Sequence, residues 1–267
     1  FYGGKGINVS TVLKNLGVDS VALGFVAGFT GKAIEEGVAA LGVKADFITV
    51  SDGVSRINVK LKAGEETEIN GKGPNISDAE LEELYKKLDG LTDGDCLVLA
   101  GAIPPSLPSD VYEKIMARLA GKKVDIVVDA TKDLLLNVLK YHPFLIKPNN
   151  FELGEMFGVT LHSDEEIEEY AKRLQALGAR NVAISMAGDG SMLLTETGET
   201  YRMGVPKGKV VNSVGAGDSM VAGFIASYFA EHDYKKALKY GAATGSATAF
   251  SEGLATKDQV EKLLGQF

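Results

Sequence analysis

Four short apolar runs, "CLVLA" at residues 96–100, "DIVVDA" at 125–130, "FLIKPN" at 144–149 and "NVAIS" at 181–185, are separated by stretches whose apolar residues recur at helical spacing. Parallel strands need crossover connections and are buried on both faces, so near-continuous apolar strands alternating with amphipathic helices are their signature. The pattern predicts an α/β fold, a mostly parallel sheet with helices on both faces. It also places ligands beyond the carboxyl ends of the strands.

The alternation begins at the amino end. Val9, Val12, Leu13 and Leu16 predict a helix over residues 6–16 that Gly17 stops. Residues 20–27 read as one buried strand, and Thr30 as the cap of a helix that ends at Gly42. The pattern then breaks. Ile57, Val59 and Leu61 alternate with Asn58, Lys60 and Lys62, Gly64 offers a turn, and a second strand runs through Thr67 and Ile69. Such period-two strands predict a small β lid at residues 46–72, with 1–45 and 73–267 forming the α/β core. Further on, Ser77 with Glu80 and Ser163 with Glu166 mark helix starts, helices are expected near 134–139 and 152–157, and three more begin near Gly217, Tyr234 and Thr256.

Charge and composition narrow the function. A net charge of -8 without a Lys/Arg-rich run argues against a nucleic-acid partner. Cys96 is the single cysteine, so a disulfide framework within the chain is excluded and a reducing cytoplasm is the expected location. No apolar run reaches the roughly 20 residues of a membrane span.

Two glycine-rich segments carry chemistry. In "NSVGAGDSMVAGF", residues 212–224, a small-residue turn opens into a helix, so the N–H groups of Gly215, Ala216 and Gly217 would form an anion site at the helix's positive end. Asp218, a carboxylate beside that site, is suited to take the proton of an attacking hydroxyl. "GGKGINVS", residues 3–10, is a second helix entrance with Lys5 and Asn8 as cation and amide. Neither is a P-loop or a dinucleotide fingerprint: Ala33 follows Gly31-Lys32, and Met220 stands where the last glycine is needed. On the lid strand, Arg56, Asn58 and Lys60 fall on one face, and a guanidinium there suits a phosphate.

Together these segments resemble the ribokinase-like, or phosphofructokinase-B, carbohydrate kinases along nearly the whole chain. The amino-terminal signature is Gly3-Gly4-Lys5-Gly6-Ile7-Asn8 and the carboxyl-terminal one Val214-Gly215-Ala216-Gly217-Asp218. "SRINVK", "EINGKGP" and "GAGDSM" resemble the 1-phosphofructokinases and tagatose-6-phosphate kinases within the family. Ala102 and the segment "DATKD" at 129–133 depart from their commonest pattern.

The resemblance implies ATP-dependent phosphorylation of D-fructose 1-phosphate to D-fructose 1,6-bisphosphate. A tagatose-6-phosphate kinase is the alternative, and a non-catalytic sugar-phosphate sensor a more distant one. It implies that Gly3, Gly4, Lys5, Asn8, Arg56, Asn58 and Lys60 hold the sugar phosphate. Lys147, Asn149, Ser185, Gly188, Gly190, Ser213, Val214, Gly215, Ala216, Gly217 and Ser251 would hold ATP. Asn149 and Glu152 would organise Mg²⁺ mostly through water, and a monovalent cation such as K⁺ would sit by carbonyls flanking the Gly215 loop. The small residues of "GSATAFSEG", 245–253, would line the adenine. It further implies a homodimer paired through lids, and a first core strand, more lid and a sugar-binding Asp preceding Phe1.

Overall fold

The computed structural model describes residues 2–63 and 65–267; the side chains of Lys60, Lys62, Ala63, Glu65, Glu66 and Glu68 lie outside that description. In chain order the elements are α1 (Lys5–Asn15), β1 (Val21–Ala22), β2 (Phe25–Ala27), α2 (Gly28–Ala40), β3 (Lys44–Ala45), β4 (Ile48–Val50), β5 (Asn58–Ala63), β6 (Glu65–Asn70), α3 (Asp78–Asp89), β7 (Cys96–Ala100), α4 (Val111–Leu119), β8 (Asp125–Asp129), α5 (Lys132–Leu136), β9 (Leu145–Ile146), α6 (Asn150–Phe157), α7 (Asp164–Ala176), β10 (Asn181–Ser185), β11 (Ser191–Leu194), β12 (Thr200–Met203), α8 (Ala216–Glu231), α9 (Tyr234–Ala249) and α10 (Lys257–Leu264).

The predicted sheet is present, with spatial order β12-β11-β10-β9-β8-β7. β7 to β10 are parallel, and β10, β11 and β12 pair antiparallel. The period-two alternation explains its two buried faces. Ile126, Val128, Ile146, Val182 and Ile184 pack into one core with α3, α4, α6 and α7. Their neighbours Val127, Leu145, Ala183 and Leu193 pack into the other, with α1, α8, α9 and α10. Carboxyl ends of β8, β9 and β10 therefore meet the amino ends of α1 and α8 at one rim of the sheet.

Several local expectations are corrected. Residues 20–27 form two strands, because the chain changes partner at Leu23-Gly24: β1 pairs with β3 and β2 with β4. Thr30 is not the cap of α2, whose N-cap is Ala27; its hydroxyl instead donates to the Ser55 carbonyl at 2.8 Å. Ile48 and Val50 are buried and their strand pairs with β2, so the projecting hairpin is β5–β6 alone, narrower than 46–72. The expected turn residue, Gly64, lies outside the described residues. Ser77 and Glu80 do form the reciprocal cap of α3. Among the described residues, no helix is long and apolar enough to cross a membrane.

Candidate active site

The site starts with α8, whose N-cap Gly215 has φ 81. In this left-handed conformation a side chain is disfavoured, and an added Cβ would stand 2.8 Å from Leu254 Cδ2. The turn brings Asp218 into the first turn of α8, where it is 6% exposed. Asn8, one turn into α1, donates from Nδ2 to Asp218 Oδ2 at 2.8 Å. Of the three expected backbone donors, the Ala216 N–H is already engaged by the Ser213 carbonyl at 3.1 Å. Among the described residues, the N–H groups of Gly215 and Gly217 make no hydrogen bond, so the open donors are two.

A buried carboxylate that the sequence reading did not assign organises the cations. Asp129, at the carboxyl end of β8 and 3% exposed, receives Lys5 Nζ at 3.0 Å on Oδ2 and Lys147 Nζ at 3.5 Å on Oδ1. Lys147 Nζ also lies against the α8 entrance, 3.2 Å from where a Gly217 Cβ would be. The only sequence signal for Asp129 was its place at the end of a buried strand, where an α/β sheet keeps its ligands.

These charges set the proton affinities. Burial raises the Asp218 carboxyl above its ordinary range; the Asn8 hydrogen bond opposes this, Asp129 reinforces it, and Lys5 and Lys147 oppose it. For Lys5, burial alone would depress the ammonium pKa, but Asp129, Asp218 and Glu152 outweigh burial and hold it above its usual value. The result is a carboxylate of enhanced basicity beside the persistent cation of Lys5, the arrangement expected of a general base next to an anionic substrate.

Among the residues expected to hold ATP, Asn149 and Glu152 cap α6 reciprocally, each accepting the other's backbone N–H at 2.8 Å. Glu152 Oε1 makes no hydrogen bond among the described residues and remains available to a hydrated metal ion. Ser185 is bridged to Asn149 across the ends of β10 and β9. Gly188 and Gly190 belong to the tight turn after it, closed by Met186 N–H donating to the Gly190 carbonyl at 2.8 Å. Val214 donates its N–H to Asn212 Oδ1 at 3.2 Å.

Other expected members stand apart. Gly3 is exposed and Gly4 is the N-cap of α1. Asn58 Oδ1 accepts the Gly71 N–H at 3.2 Å, so its side chain closes the base of the hairpin, and Arg56 lies before the strand, exposed. No described contact joins either to Lys5, Asn8 or Asp218, and the Lys60 side chain lies outside the description. Ser251 Oγ is used locally, donating to the Ala247 carbonyl at 2.7 Å and accepting from Gln259 at 3.0 Å. Gly245, in the segment expected beside the adenine, lets α9 approach α8: its Cβ would be 3.0 Å from the Ala216 carbonyl.

The comparisons agree with this architecture. Residues 1–261 match the family described as pfkB family carbohydrate kinase. A 1-phosphofructokinase of Bacillus subtilis is 50% identical over 98% of this chain and 86% of its own length. A D-tagatose-1-phosphate kinase of Bacillus licheniformis is 39% identical over 98% of this chain and 86% of its own. Among solved structures, phosphofructokinase-2 of Escherichia coli in complex with substrates and products superposes with a TM-score of 0.91 at 24% identity, over 98% of this chain and 87% of that one. A buried aspartate on a glycine-turn helix, on a sheet of this order and with matches along this much of the chain, makes the chain a member of the pfkB family of carbohydrate kinases.

Proposed function

We propose that this chain transfers the γ-phosphoryl group of ATP to D-fructose 1-phosphate, giving D-fructose 1,6-bisphosphate and ADP. The observation that carries the substrate is the 50% identity along nearly the whole chain to a 1-phosphofructokinase. The geometry supports the chemistry. Asp218 takes the proton of the sugar's 6-hydroxyl as its oxygen bonds to the γ-phosphorus and the bond to the β–γ bridging oxygen breaks, releasing ADP. Asn8 fixes the carboxylate that receives the proton.

Lys5, with Arg56 before the hairpin, Asn58 and Lys60 on it, and Gly3 and Gly4 at the entrance of α1, grips the sugar's 1-phosphate. Lys147 and the N–H groups of Gly215 and Gly217 face the transferring phosphoryl group, while Asn149, Ser185, Gly188, Gly190, Ser213, Val214 and Ser251 surround the nucleotide. Magnesium carried on ATP supplies charge neutralisation of a loose transition state. The free oxygen of Glu152 fits a water-mediated hold on it, since Mg²⁺ keeps much of its hydration. A monovalent cation such as K⁺ beside the Gly215 loop belongs to the same reading.

Val59, Leu61 and Ile69 of the hairpin are 43%, 48% and 56% exposed, which supports a homodimer joined through this face. Cytoplasmic residence completes the proposal, the chain's one cysteine being a free thiol. A relative acting on tagatose 1-phosphate, the C4 epimer, makes that sugar the sharpest rival.

The test is ADP release with ATP·Mg²⁺, comparing fructose 1-phosphate, tagatose 1-phosphate, tagatose 6-phosphate, fructose 6-phosphate and fructose by kcat/KM. Fructose 1-phosphate is expected to lead. Preference for either tagatose phosphate overturns the substrate, and absence of turnover with all five overturns the kinase reading.

A further inference from the structure

Ser185 and Ser191 are Cα partners where β10 meets β11. The Met186-to-Gly190 bond just beyond them makes theirs a non-hydrogen-bonded antiparallel pair, the class in which opposed side chains share a face and stand closest. Alternation puts Ser185 with Ala183 and Ser191 with Leu193, on the sheet face covered by α8 and α9. Ser191 is 2% exposed, and its Oγ is enclosed without a hydrogen-bond partner among the described residues. An unpaired buried hydroxyl is less stable than the methyl group that would replace it. This one therefore lowers the stability of the free protein, while standing opposite a serine of the nucleotide loop.

We infer that Ser191 is a positioning residue for the nucleotide, acting through Ser185. A hydroxyl has one proton to donate and lone pairs to accept with. When Ser185 donates to a nucleotide phosphate oxygen, its own oxygen accepts the Ser191 O–H, which fixes its rotamer and strengthens the outward bond. The inference rests on the placement of Ser185 in the nucleotide site proposed above.

The experiment compares Ser191→Ala, Ser191→Cys, Ser185→Ala and the double alanine variant, reading KM for ATP, kcat and thermal midpoint. Ser191→Ala should raise KM for ATP roughly three- to ten-fold, the worth of one ordinary hydrogen bond. The sugar KM and kcat should change little, and the midpoint of the ligand-free protein should hold or rise. Ser191→Cys, close in shape but a poor donor, should follow alanine. In the Ser185→Ala background the Ser191 substitution should have no further effect on KM.

An unchanged KM for ATP in Ser191→Ala, with a raised one in Ser185→Ala, overturns the inference and leaves Ser185 in place. Additive effects overturn action through Ser185. An unchanged KM in Ser185→Ala removes Ser185 from the nucleotide site and takes the inference with it.

Discussion

The Asn8 side-chain amide holds the Asp218 carboxylate at 2.8 Å across 210 residues of chain, joining the first helix to the glycine turn of α8. The bond opposes the rise in Asp218 proton affinity that burial produces. A base with a raised pKa accepts the hydroxyl proton more readily, but it is lost to protonation at a higher pH than an exposed aspartate.

Asp218→Asn should therefore lower kcat by about 10²- to 10⁴-fold, the usual worth of a general base, with little change in ATP binding. Titration calorimetry beside steady-state kinetics separates the two; near-normal kcat would remove Asp218 from the base role.

The same substitution should stabilise the protein at neutral pH. A carboxyl whose folded pKa exceeds its unfolded value makes the native state bind the extra proton, so stability falls as pH rises from the unfolded value through the folded one. Removing the charge cancels that loss. Thermal midpoints of Asp218→Asn and the parent should diverge above this window and converge below it.

Loss of the Asn8 amide should move the acid limb of activity. Asn8→Ala removes the bond that lowers the Asp218 pKa, so the acid limb of kcat/KM should shift to higher pH. A pH profile identical to the parent's would show that the bond does not tune the base.

Asp129→Ala should destabilise the fold by about 3 kcal/mol, because Lys147, 7% exposed, would keep a buried charge without its counter-ion. Lys5 is 40% exposed, and the loss of its pair should add little. Urea denaturation measures the change, and KM should rise for both substrates, since one carboxylate orients a cation on each side of the site.

Val59 and Ile69 are cross-strand partners with exposed side chains. Ile69→Lys should convert a dimer to a monomer in light scattering after size exclusion, while the core's stability stays within about 0.5 kcal/mol, as for an exposed position. Unaltered assembly would place the dimer contact elsewhere.

Much of this molecule was legible from short stretches. Strand runs at β7, β8 and β10, the reciprocal cap of Ser77 and Glu80, and the helix opened by Gly215 each depend on residues within a few positions of one another. The same locality misled at residues 20–27, where one apolar run hid two strands with different partners, and at Thr30, which looked like a cap but bonds to Ser55. It also hid β11 and β12, four residues each, behind the glycine turn that precedes them.

Residue order alone thus specified the period of each element, the turn that exposes backbone N–H groups, and the identity of the acid and amide, because these follow from local sterics and hydrogen bonding. Folding decided which of them meet. Asp129 became the shared counter-ion of Lys5 and Lys147 only because the sheet sets the ends of β8 and β9 side by side and α1 crosses above them. Asn8 reached Asp218 only through the packing of α1 on α8. Contacts over such separations are fixed by strand order and helix packing, and no local pattern encodes them.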